Sequence, residues 1–176
     1  MENTQYKKLL FDIACSSMAC DGHIDEREIK ELQDIEKSTT FFKDIDLRRK
    51  LNRFVESFKI NPEETIEEII YKLKDALLNP VEEMLVLEIA LRVVYADVKI
   101  DPKEIDFLQS IRACLLIDDE TITQRFGVID FLVSSEEKIA VADENSKRKD
   151  SLDSVDMANL ENMYFNVDDK KKMKEK

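Results

Sequence analysis

The sequence predicts an all-α protein: a single compact bundle of about seven helices built from a duplicated helix–turn–helix, plus a charged C-terminal tail. Three observations carry this expectation. Two Gly and three Pro in 176 residues are too few chain-breakers for a turn-dense sheet protein. Charged residues make up 38% beside 43% hydrophobic ones, so the apolar residues must be gathered into stripes, as in amphipathic helices. Residues 9–35, LLFDIACSSMACDGHIDEREIKELQDI, also align without a gap on residues 85–111, LVLEIALRVVYADVKIDPKEIDFLQSI, at an offset of 76, with 11 of 27 positions identical. Most apolar matches are three or four residues apart, while the acidic ones gather where two helices would join. No segment alternates with period two, so no sheet is expected.

The elements follow in order. Helix one runs from about Gln5 to Cys20, and helix two from about Glu26 to Lys37. Helix three, about Asp44 to Phe58, carries Leu47, Leu51, Phe54, Val55 and Phe58 at helical spacing. Asn61-Pro62-Glu63-Glu64 has the form of an N-cap, a proline at the first helical position and an acidic first turn, which starts helix four, ending near Leu78. Asn79-Pro80 repeats that signal for helix five, and helix six begins at Pro102. Helix seven opens near Asp118-Asp119-Glu120 and carries Ile122, Phe126, Ile129 and Phe131 towards Val133. Helix one should pack near helix five, with Ile13, Ala14, Ile89 and Ala90 in one core and the small alanines permitting close approach.

The helical domain occupies residues 1–133 and the tail residues 134–176. The tail holds 11 acidic and 9 basic residues against 28 and 18 in the domain, so the domain carries most of the net charge of −12. Lys- and Arg-rich runs at 146–150 and 170–176 are solvated stretches. Between them Leu152, Val155, Leu160, Met163, Tyr164 and Phe165 could fold back on the body as a short helix, dock on a partner or stay disordered.

Charge and composition exclude several function classes. An acidic chain is unsuited to nucleic-acid backbones and anionic membranes, which demand basic surface. The longest apolar stretch, Met84 to Ala96, is broken by Glu88 and Arg92, so no membrane insertion is expected. The N-terminus lacks a signal peptide's apolar core, and Cys15, Cys20 and Cys114 read as reduced thiols, which together point to the cytoplasm. With one His, no Gly-rich phosphate loop and no Ser or Cys beside a plausible base, no enzyme is expected.

The chemistry is concentrated at the two junctions, Asp21-Gly22-His23-Ile24-Asp25-Glu26-Arg27-Glu28 and Asp97-Val98-Lys99-Ile100-Asp101-Pro102-Lys103-Glu104. Asp25 and Asp101 suit N-caps with Glu28 and Glu104 three residues on, a capping-box arrangement that requires no ligand. Asp21 and Asp97 are different. Each sits at the C-terminal end of a helix, where the macrodipole disfavours a carboxylate. Either a bound cation or a Lys or Arg from elsewhere in the fold must compensate. Asp21, Asp25 and Glu28, echoed by Asp97, Asp101 and Glu104, are the candidate ligands for a hard divalent cation, Ca or Mg before Zn. An ordinary EF-hand is excluded, because Ser17 and Ala19 stand where its first acids belong. Gly22 makes the first junction the better candidate, and His23 lies in the same turn.

The run Ala-x-Asp-Gly-x-Ile-Asp-x-x-Glu, anchored at Asp21, Gly22, Ile24, Asp25 and Glu28 and echoed at Asp97, Ile100, Asp101 and Glu104, resembles the TerB-like (tellurite resistance) family. The amino-terminal domain of some membrane-anchored DnaJ co-chaperones is similar. The resemblance covers about residues 5–133. It implies a pseudo-twofold helical bundle, acids that hold a divalent cation, and a cytoplasmic, non-catalytic role beside larger proteins in bacterial stress response or phage defence. The second copy lacks the glycine, and the tail lies outside the resemblance. Two readings stay open: an acidic interaction module with a cation at the corner, or a metal-free accessory subunit of a larger complex, anchored through its tail.

Overall fold

A computed structural model describes residues 3–22, 24, 26–39, 42, 46–97 and 99–133. Among them there are seven helices and no strand: α1 (Asn3–Ala19), α2 (Glu26–Ser38), α3 (Leu47–Ile60), α4 (Pro62–Asp75), α5 (Pro80–Tyr95), α6 (Pro102–Cys114) and α7 (Asp119–Phe126). Local chemistry sets the starts. The Asn61 side chain accepts the amide of Glu64 ahead of Pro62. Asn79 with Glu82, and Asp101 with Glu104, form complete capping boxes, each followed by a proline at the first helical position. Asp46 and Asp118 cap α3 and α7.

Three boundaries differ from the sequence expectation. α3 starts at Leu47, behind its Asp46 cap, rather than near Asp44. α4 stops at Asp75 rather than near Leu78, because Ala76 turns to extended backbone (φ −75°, ψ 125°) to free the chain for the Asn79 cap. α7 stops at Phe126 rather than running towards Val133. Gly127 takes φ 74° there, and its amide closes the last turn on the Thr123 carbonyl at 2.9 Å. Ile129, Leu132 and Val133 still bury, but from the non-helical chain that follows.

α5 is the centre of the molecule. Leu85 to Leu91, Val93 and Val94 are all buried, so neighbours surround this helix instead of flanking one stripe. Its most extensive neighbour is α1, and Ile13, Ala14, Ile89 and Ala90 lie together in the core with no exposed surface. The two helices run side by side in the same direction. At their N-terminal ends the Tyr6 hydroxyl donates to the Glu82 carbonyl at 2.8 Å. At their C-terminal ends an ion pair joins the corners that follow them. α1 and α5 end, and α2 and α6 begin, at positions 76 apart, so the offset of the sequence identities is also the offset of the element boundaries.

Two carboxylates inside this core were not singled out from sequence. Buried Glu83 accepts the amides of Leu116 and Ile117 at 2.7 and 2.8 Å, which ties the α6–α7 loop to α5. Glu88, with 0% exposure, accepts from Arg125 at 2.9 Å and so ties α7 to the same helix. Both look like surface acids in a one-dimensional pattern, because their partners lie more than 30 residues away.

Candidate functional site: two acidic corners that meet

Each corner begins where an apolar helix runs out. After α1 the Gly22 amide reaches back to the Ala19 carbonyl at 2.9 Å, with Gly22 at φ 94°, a left-handed conformation that side chains resist. After α5 the Ala96 amide reaches back to Val93 at 3.1 Å. The parallel packing of α1 and α5 brings both corners to one end of the bundle, where they touch reciprocally. Arg27, at the start of α2, pairs with Asp97 at 2.6 Å. Its counterpart Lys103, at the start of α6, donates to the main-chain oxygen of Asp21 at 3.3 Å. Each basic residue thus crosses to the other half's corner.

The acids of the second corner have assigned tasks. Asp101 accepts the Lys103 amide at 2.9 Å, and Glu104 accepts the Asp101 amide at 2.6 Å. Asp97 has the cationic partner that its place at a helix C-terminus calls for. In the first corner Glu28 is as buried as Glu104, each 4% exposed, and Asp21 is half-buried. Asp25 and His23 lie outside the described residues. The tail candidates Leu152, Val155, Leu160, Met163, Tyr164 and Phe165 lie outside them too.

The corners share an electrostatic field. Burial raises the Glu104 carboxyl above its ordinary value. The hydrogen bond from Asp101 lowers it, and the carboxylates of Asp21, Asp97 and Asp101 raise it further. Asp21 belongs to the other corner. Cys20 reports the same crowding: burial first, then Glu104, Asp21 and Glu28, push its thiol up to about 12. It therefore stays protonated at neutral pH and is no nucleophile. Burial raises Cys15 as well, and the three cysteines are free.

All the acids at this end offer carboxylate oxygen, the donor that hard cations take. Among the described residues no group of three His, Cys, Asp or Glu side chains is arranged to hold a metal ion. The missing member of the first corner's triad is Asp25. Sequence reasoning singled out the two corners but could not bring them together. The signal that would have done so is the pair Arg27 and Lys103, basic residues at the same repeat position within otherwise acidic junctions.

The family model described as "Tellurite resistance protein TerB" matches residues 10–126. That span runs from the middle of α1 to the end of α7 and includes both corners. No curated protein and no solved structure matches the chain.

Proposed function

The chain belongs to the TerB family of tellurite resistance proteins, and from that premise we propose that it is a non-catalytic, acidic helical interaction module of a bacterial stress-response or phage-defence system. In this reading it is cytoplasmic and works beside a larger protein partner. Among the described residues no helix is long and apolar enough to cross a membrane. The matching offsets of identities and helix boundaries are the ground on which the two halves are read as copies of one unit.

A divalent cation, calcium or magnesium before zinc, is assigned in this proposal to Asp21, Asp25 and Glu28. The observation that supports it is the meeting of the corners. Asp21, Glu28, Asp97, Asp101 and Glu104 are gathered at one end of the bundle with Arg27 and Lys103 to offset them, so negative charge is in excess there. In the second corner Asp97 is paired with Arg27, and Asp101 and Glu104 form a capping box. The test is isothermal titration of calcium, magnesium, manganese and zinc into chelator-stripped protein. Micromolar-range binding by the wild type that Asp21→Asn or Asp25→Asn abolishes is the expected result. No heat from any ion would return the acids to capping alone.

The second reading is a metal-free accessory subunit of a larger complex, anchored through Leu152, Val155, Leu160, Met163, Tyr164 and Phe165. It is favoured by the Arg27–Asp97 pair, which supplies from within the chain the positive charge that one repeated acid needs. Under this reading substitutions in the tail abolish partner association and chelators have no effect.

A further inference from the structure

Away from the corners, the N-terminal half of α1 and the C-terminal end of α4 wall a groove of about 590 Å³. Leu9 and Ala76 supply apolar wall, and Tyr71 and Leu77 stand over it 71% and 88% exposed. Asp12 lies half-buried in the lining, and burial raises its carboxyl above the ordinary value despite the charges of Lys50, Lys72 and Lys8. Lys8 on α1 and Lys72 on α4 line it from opposite walls. The two lysines are balanced in the lining by Asp12 and Asp75, and Lys72 also pairs with Glu68 at 2.8 Å.

We propose that this groove is the docking site for the chain's own segment 152–165. The segment, LDSVDMANLENMYF, lies outside the described residues. It carries eight apolar residues if Ala158 is counted, and its only charges are Asp153, Asp156 and Glu161. Apolar side chains facing the exposed Tyr71 and Leu77 are the complement this groove requires, with a carboxylate of the segment beside Lys8. Reach is sufficient. The 18 residues between Val133 and Leu152 extend to about 60 Å, at roughly 3.3 Å per residue, whereas a domain of this size is about 36 Å across.

The tether also decides between occupants. A flexibly linked segment acts at an effective concentration on the order of millimolar, so a contact with a dissociation constant near 0.1 mM is about nine-tenths formed. A second copy at micromolar concentration competes poorly against that. Docking here covers Tyr164 and Phe165, the strongest candidates for gripping a partner, so any partner that takes the tail must first displace it from the groove. This inference does not depend on the cation reading.

The experiment uses the full chain throughout. Backbone amide spectra of the wild type and of a Leu160→Asp/Phe165→Asp variant are compared, and a synthetic peptide of residues 152–165 is titrated into each. Circular dichroism checks that the helical body is retained. The expected result is that shift differences concentrate at 5–12 and 71–77, and that the peptide binds the variant about tenfold more tightly than the wild type, whose groove is already filled. Adding Lys8→Glu, an exposed substitution, to the variant should weaken peptide binding. The proposal is overturned by identical spectra, by differences centred elsewhere, by equal peptide affinity for both proteins, or by wild-type shifts that vary with protein concentration, which would indicate a second copy as occupant.

Discussion

Glu88 shows how much one side chain can hold in this protein. It has no exposed surface, one carboxylate oxygen accepts from Arg125 at 2.9 Å, and among the described residues the other oxygen and the Arg125 Nε have no hydrogen-bond partner. Burial raises its carboxyl above the ordinary 4.5, outweighing the hydrogen bond and charge of Arg125 and the charge of Arg92. A carboxyl raised in the fold holds its proton more tightly folded than unfolded. Its contribution is therefore fully present below about pH 4.5 and is lost as pH rises through the folded value. Glu104 shifts in the same direction, with burial again the first cause. Glu88→Gln resembles the protonated group and keeps an acceptor for Arg125. Its melting temperature relative to wild type should therefore move in the variant's favour between about pH 4 and about pH 7. A difference that is flat, or that moves the other way, would show that the ion pair outweighs burial.

At the scale of elements, capping chemistry sets where helices start and glycine sets where α7 stops. Gly127 has φ 74° and ψ −176°, a region that essentially only glycine occupies. A Cβ built there meets nothing within 4 Å, so the cost of a side chain is backbone strain rather than a clash. Gly127→Ala and Gly127→Asn should both destabilise by about 1–3 kcal/mol in denaturant unfolding, and Asn, which relieves ordinary left-handed positions, should not rescue. Wild-type stability in either variant would mean that α7 can end another way. The starts were legible in advance because Asn61-Pro62, Asn79-Pro80 and Asp101-Pro102 act within one turn of chain. The stop of α7 was not, because Ile129 and Phe131 continue a helical spacing that Gly127 interrupts.

For the whole molecule, the decisive arrangement is the parallel packing of α1 and α5. It places two acidic corners at one end and lets Arg27 and Lys103 reach across between halves. The Arg27–Asp97 pair is partly exposed on both sides, which limits its strength. A double-mutant cycle of Arg27→Ala and Asp97→Asn should give a favourable coupling of about 0.2–1 kcal/mol. The coupling should shrink in high salt. A coupling of zero in low salt would remove the ion pair as a link between the halves. The corners were visible as motifs, since Asp-x-x-Glu repeats at a fixed offset. Their meeting was not, because nothing within a single junction specifies which way its helix runs against the other.

The sequence by itself determined what depends on neighbours along the chain: seven helices, the N-terminal caps of α4 to α7, the apolar faces that make Ile13, Ala14, Ile89 and Ala90 core, and the acidic character of both corners. Only the tertiary structure decided which charges are paired. Glu83 and Glu88 became buried ties to α6 and α7, and Asp97 gained Arg27, because hydrogen bonds and ion pairs act over about 3 Å in space whatever the separation in sequence. A helical period tells which face is buried, but the partner on that face is chosen by how the helices pack.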